Sequence, residues 1–140
     1  MGTNSNGELV ETVDVFEGNE DKNRNIAQNN QYIDKEIEQL KLSERHIENK
    51  EYKKALVILK KLNMSNSLQI RVRARYKTGV IFYLQEEYDL AYQVFRGIVQ
   101  NYSFSGIIIK SLNYLVQCCD KLGLKNKKNY YSNLIEKVFV

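Results

Sequence analysis

At 140 residues, 43% hydrophobic and 27% charged, the chain is long enough for one domain with a continuous core and too apolar for wholesale disorder. No run approaches the ~18 apolar residues of a membrane span. The adjacent pair Cys118 and Cys119, with a single distant histidine, His46, offers no zinc-type ligand set, so no metal or other cofactor is expected.

Charge divides the chain. Residues 1–30 hold six acids (Glu8, Glu11, Asp14, Glu17, Glu20 and Asp21) against Lys22 and Arg24, whereas residues 31–140 hold the other 19 bases and 11 acids. The first segment is Asn- and Gly-rich and lacks a helical period, which predicts a flexible tail. It carries one apolar cluster, Leu9, Val10, Val13, Val15 and Phe16. The alternative is that residues 9–16 dock on the basic region, within the chain or on a neighbour. Met1–Asn6 has neither a basic-then-apolar signal sequence nor the Ser or Thr that a myristoylation motif needs at Asn6. Those features point to the cytoplasm, or to a soluble fragment whose targeting segment has been removed.

From about Gln31 the pattern becomes helical, and residues 31–140 read as one all-α repeat domain. Ile33, Ile37, Leu40 and Ile47 form one amphipathic stripe; Tyr52, Ala55, Leu56, Leu59 and Leu62 form a second. Val72, Tyr76, Gly79, Val80 and Tyr83 give a third, and Tyr88, Ala91, Phe95 and Ile98 a fourth. Ile108, Leu112, Leu115, Val116 and Cys119 make the fifth; Tyr131, Leu134, Ile135 and Val138 the sixth. Cap-forming residues cluster at 63–67 and 101–106, and Gly123 stands where a helix takes a left-handed stop. Neighbours on a helix point about 100° apart, so a Cys118–Cys119 disulfide would be strained and both thiols are expected to pack as small apolar groups.

The helices recur in register. Ala55-x-x-x-Leu59-x-x-Leu62 returns as Ala91-x-x-x-Phe95-x-x-Ile98 and as Lys127-x-x-x-Tyr131-x-x-Leu134, each 36 residues on. Leu40, Tyr76 and Leu112 keep the same interval, as do Ile47, Tyr83 and Cys119. A fixed period of this size marks stacked helical pairs, none able to bury its apolar face alone.

On these residues the chain resembles the tetratricopeptide repeat (TPR) family. The middle repeat matches through Gly79, Phe82, Ala91 and Phe95; the first supplies Ser43, His46, Ala55 and Leu59. The third supplies Leu115, Cys118, Lys127 and Tyr131, although a shift of one residue in its leading helix would match Val116 and Cys119 better. The resemblance implies three antiparallel helical hairpins, at about 31–62, 67–101 and 106–138, stacked as an α-solenoid. A plain six-helix bundle is the alternative.

The resemblance also implies a site. In the family the leading helix of each hairpin lines a concave groove that receives peptides. By register the lining positions are Ile37, Leu40, Glu44 and Ile47; Arg73, Tyr76, Lys77, Val80 and Tyr83; and Ile109, Leu112, Asn113, Val116 and Cys119. That surface is mostly apolar and lacks the full set of bases and Asn that clamps a terminal carboxylate. A protein partner (a peptide, helix or strand), a second copy of the chain, or residues 9–16 would cover it. The expected function is therefore a non-enzymatic adaptor. Bacterial envelope-assembly proteins contain many such repeats, and the AT-rich residue bias (no Pro or Trp, many Lys, Asn, Ile and Tyr) fits a low-GC bacterium or a parasite. That makes a periplasmic setting the alternative to the cytoplasm.

Two other classes have less to rest on. Lysines at 53–54, 60–61, 125 and 127–128 sit mainly on trailing helices, where a basic face could bind nucleic acid, with Arg71 and Arg75 as its only arginine pair. No Gly-rich phosphate loop and no Cys–His or Ser–His pairing points to catalysis.

Overall fold

The segments with apolar residues at helical spacing all form helices. The computed structural model describes residues 18–103 and 105–138, which fold as α1 (Gly18–Glu48), α2 (Tyr52–Leu62), α3 (Leu68–Leu84), α4 (Tyr88–Asn101), α5 (Ser105–Leu122) and α6 (Lys125–Val138). No strand occurs among the described residues. The chain separates into two compact units at the Asp34–Lys35 boundary. The first contributes the N-terminal part of α1; the second contains the rest of α1 and the five other helices.

Helix α1 begins at Gly18 rather than near residue 31. The stretch has no apolar stripe, which is why its periodicity gives no helix.

Three of the connections are the same turn. After α1, Lys50 N–H donates to Ile47 O (2.9 Å) and Glu51 N–H to His46 O (2.7 Å). After α3, Glu86 N–H donates to Tyr83 O (3.0 Å) and Glu87 N–H to Phe82 O (2.8 Å). After α5, Gly123 N–H donates to Asp120 O (3.3 Å) and Leu124 N–H to Cys119 O (2.9 Å). This paired bonding is the Schellman stop, which requires a left-handed residue. Lys50 (φ 61°), Glu86 (φ 62°) and Gly123 (φ 73°) supply it.

The turns also fix the register. His46 and Phe82, the carbonyls that close the first two, are 36 apart, but the third is closed by Cys119, which is 37 beyond Phe82. Cys119 is thus the counterpart of Phe82, and Val116 that of Gly79, in place of Cys118 and Leu115. The helix that follows shifts too. Ala55 N–H bonds Glu51 O, Ala91 N–H bonds Glu87 O, and Lys128 N–H bonds Leu124 O. Lys128, not Lys127, therefore stands where Ala91 stands.

The loop between α2 and α3 is built from serines. Ser65 Oγ accepts from Ser67 N–H (3.0 Å) and donates to Glu36 Oε1 on α1 (2.7 Å). Ser67 Oγ caps α3 by accepting from Ile70 N–H (3.4 Å), and Arg71 Nη1 donates to Ser65 O (2.7 Å).

Each of α3 to α6 packs on the helix before it, and α3 also touches α5. Two clusters form the core. One joins Leu40 of α1, Ala55, Leu59 and Leu62 of α2, and Ile70, Ala74 and Ile81 of α3. The other joins Val72 of α3 to Ala91, Tyr92, Phe95 and Ile98 of α4, to Leu112, Leu115, Cys118 and Cys119 of α5, and to Tyr131 of α6. Helix α3 is the wall between them and is buried on two sides. It therefore carries a second stripe, Ile70, Ala74 and Ile81, beside the one its sequence displays most clearly.

Candidate functional site

The middle repeat meets around a glycine. A Cβ on Gly79 would lie 2.8 Å from Phe95 Cζ and 3.0 Å from Val94 Cγ1, so α3 and α4 approach closely only because that carbon is missing. Phe95 is fully buried and stacks on Tyr114 of α5, with centroids 4.8 Å apart and planes 5° from parallel. Ala55, Leu59 and Ala91 are also fully buried, while Phe82 is half-buried against the second cluster.

The tyrosines expected in the groove belong to the same assembly. Tyr76 meets Phe95 (5.7 Å) and Tyr114 (6.0 Å) edge to face, and Tyr83 meets Tyr88 and Tyr114 (5.2 Å each). Burial, with Tyr114 beside it, pushes the Tyr76 phenol up to about 12. The Tyr83 hydroxyl reaches out to Gln117 Oε1 (2.9 Å), linking α3 to α5 at the surface. Lys77 donates to Glu44 Oε1 and links α3 to α1 in the same way.

The remaining lining positions separate into surface and core. Ile37, Glu44, Arg73 and Asn113 are exposed; Ile47, Val80, Ile109 and Val116 are half-buried. Leu40 and Leu112 are 6% and 2% exposed and Cys119 is fully buried, so none of the three offers a surface. Their spacing fits a concave face and an interhelical core equally well, since a leading helix packed on two sides carries both. A groove along these positions would be less apolar than their register suggests.

What is open is a cleft of about 240 Å³ between the N-terminal halves of α3 and α5, lined by Gln69, Val72, Arg73, Gly106, Ile107 and Lys110. Val72 closes its floor, and Ile107 is half-buried. Arg73 and Lys110 are exposed; Arg73 Nη1 reaches Gln69 Oε1 at 3.3 Å, and neither base joins an ion pair among the described residues. Periodicity missed Lys110 and Gln69 because polar residues between apolar ones read as solvated filler. A second hollow, about 370 Å³, lies among Asn63, Arg75, Thr78, Gln93, Val94 and Gly97. The arginine pair is thereby divided: Arg75 lines this hollow, while Arg71 is bonded to the Ser65 carbonyl.

His46 is half-buried and its Nδ1 lies 2.9 Å from Glu51 Oε1, which also accepts across its other oxygen from Lys54 (3.1 Å). These hydrogen bonds, that from His46 first, hold the Glu51 carboxyl below its ordinary range. Cys118 and Cys119 are free and fully buried; burial, then the neighbouring thiol, pushes Cys118 up to about 12. Such a thiol is a packing group rather than a nucleophile. Among the described residues no cluster of His, Cys, Asp and Glu could hold a metal ion, and no helix is long and apolar enough to cross a membrane. The segment Leu9–Phe16 lies outside the described residues. No protein-family model, characterised protein or solved structure matches the chain.

Proposed function

We propose that the chain is a tetratricopeptide-like adaptor, non-enzymatic, that holds a partner polypeptide along its leading helices α1, α3 and α5. The observation that carries this reading is the α3–α5 cleft, where two exposed bases, Arg73 and Lys110, stand over an apolar floor of Val72 and Ile107. Such a cleft suits an extended or helical segment with an acidic residue next to an aliphatic one. The equal turns after α1, α3 and α5 and the α3–α5 contact support a solenoid over a closed bundle. Assembly of a bacterial envelope is the setting that the repeat resemblance suggests.

Charge reversal in the cleft tests the reading. Arg73→Glu with Lys110→Glu should lose the partner in a pull-down while retaining the helical circular dichroism spectrum. Capture of the same partner by the reversed protein would move the binding surface elsewhere. Tyr76 is a poor probe for this purpose, because a charge there would break its packing on Phe95 and Tyr114.

A further inference from the structure

Helix α2 presents to solvent an arc that its core role does not require. It buries Ala55, Leu59 and Leu62, and at 100° per residue the opposite arc holds Lys53, Lys54, Val57, Lys60 and Lys61 within about 120°. Val57 is 62% exposed and lies at the middle of the arc, with lysines on both sides. Met64 is 82% exposed in the turn that follows the helix. No acid lies on α2; Glu51, at its N-terminal edge, is held by His46 and Lys54.

We infer that this arc is a contact surface for a membrane of anionic phospholipid. Lysine stems lie along apolar surface while their ammonium groups reach outward, so Lys53, Lys60 and Lys61 around exposed Val57 match a headgroup layer with acyl chains just beneath, while Lys54 is paired with Glu51. The attraction sums over the lysines and decays within a Debye length, so the arc must lie against the surface to gain from it. Nucleic acid would favour arginine forks and exposed aromatic rings, and the arc has neither. The α3–α5 cleft shares no residue with the arc.

Vesicle flotation with the full chain tests the inference, using equal parts phosphatidylglycerol and phosphatidylcholine against phosphatidylcholine alone. The wild type should float only with the anionic vesicles. Lys53→Gln, Lys60→Gln and Lys61→Gln together should weaken that binding at least about tenfold. The same loss of charge on α6, through Lys125→Gln, Lys127→Gln and Lys137→Gln, should leave most of it. Val57→Asn with Met64→Asn, at unchanged charge, should remove the binding that survives added salt. Equal losses from the α2 and α6 triples would show diffuse charge attraction and overturn the inference. So would absence of flotation, an unaffected Val57/Met64 variant, or tighter binding to a single-stranded RNA oligomer than to the vesicles.

Discussion

Gly79 shows how one missing carbon fixes a helix pair. Alanine is the better helix former by about 1 kcal/mol, so on propensity alone Gly79→Ala should stabilise α3. Its Cβ, however, would press on the Phe95 ring, which cannot retreat because Tyr114 is stacked on it. Overpacking of this kind costs about 1–3 kcal/mol, so the net effect should be a loss of up to about 2 kcal/mol, read from urea denaturation. Glu51 acts through charge. Its carboxyl titrates lower in the folded chain than its ordinary value of 4.5, so its contribution is present above that value and fades as pH falls through the depressed one. Glu51→Gln should therefore lower the urea midpoint at pH 7, and the two proteins should converge in acid. A shortfall that persists undiminished in acid would show that Glu51 acts by packing instead.

At the scale of an element, the turns after α1, α3 and α5 share one backbone but differ in side chain. Lys50 and Glu86 hold a left-handed conformation that costs a non-glycine residue about 1–2 kcal/mol. Part of that is recovered on substitution, so Glu86→Gly should stabilise by about 0.5–1 kcal/mol, whereas Gly123→Ala should destabilise by a similar amount, both seen as shifts in Tm. The same turns mark the limit of what was legible in the chain. Six helices and the breaks near 63–67, 101–106 and 123 followed from apolar spacing and cap residues. The stops at Lys50 and Glu86 did not, because neither residue advertises positive φ. The one-residue step in the last repeat was legible in α5, where Val116 and Cys119 made the better match, but not in α6, where only the hydrogen bond from Lys128 N–H to Leu124 O puts Lys128 in the place given to Lys127. The candidate site was legible only in part for a related reason. The register implied by the family resemblance gave Arg73, which is exposed, yet it could not separate Leu40 and Leu112, which are core, from residues that meet solvent.

Across the basic unit, stability should be graded by how many sides of a helix are covered. Helix α4 buries Ala91, Tyr92, Phe95 and Ile98; α2 buries Ala55, Leu59 and Leu62; α6 buries only Tyr131. Helix α6 is held through Tyr131, whose ring packs edge to face on Tyr92 (6.3 Å), through half-buried Leu134 and Ile135, and through Lys127 above that same Tyr92 ring (5.5 Å). Among these three helices, native-state hydrogen exchange should therefore be slowest in α4, intermediate in α2 and fastest in α6. Uniform protection would mean a single cooperative unit and would count against the additive, neighbour-to-neighbour stability of a repeat array.

Helix α3 separates the two clusters, and that position has an evolutionary consequence. A helix with one dry face can drift on the other, and its history is then written as alternating constant and variable positions. Ile70, Val72, Ala74, Gly79 and Ile81 leave α3 little such freedom, since substitutions that suit one neighbour must also suit the other. Divergence of this chain should therefore proceed by changes on α2 and α6, with α3 altered last and only in concert with both sides.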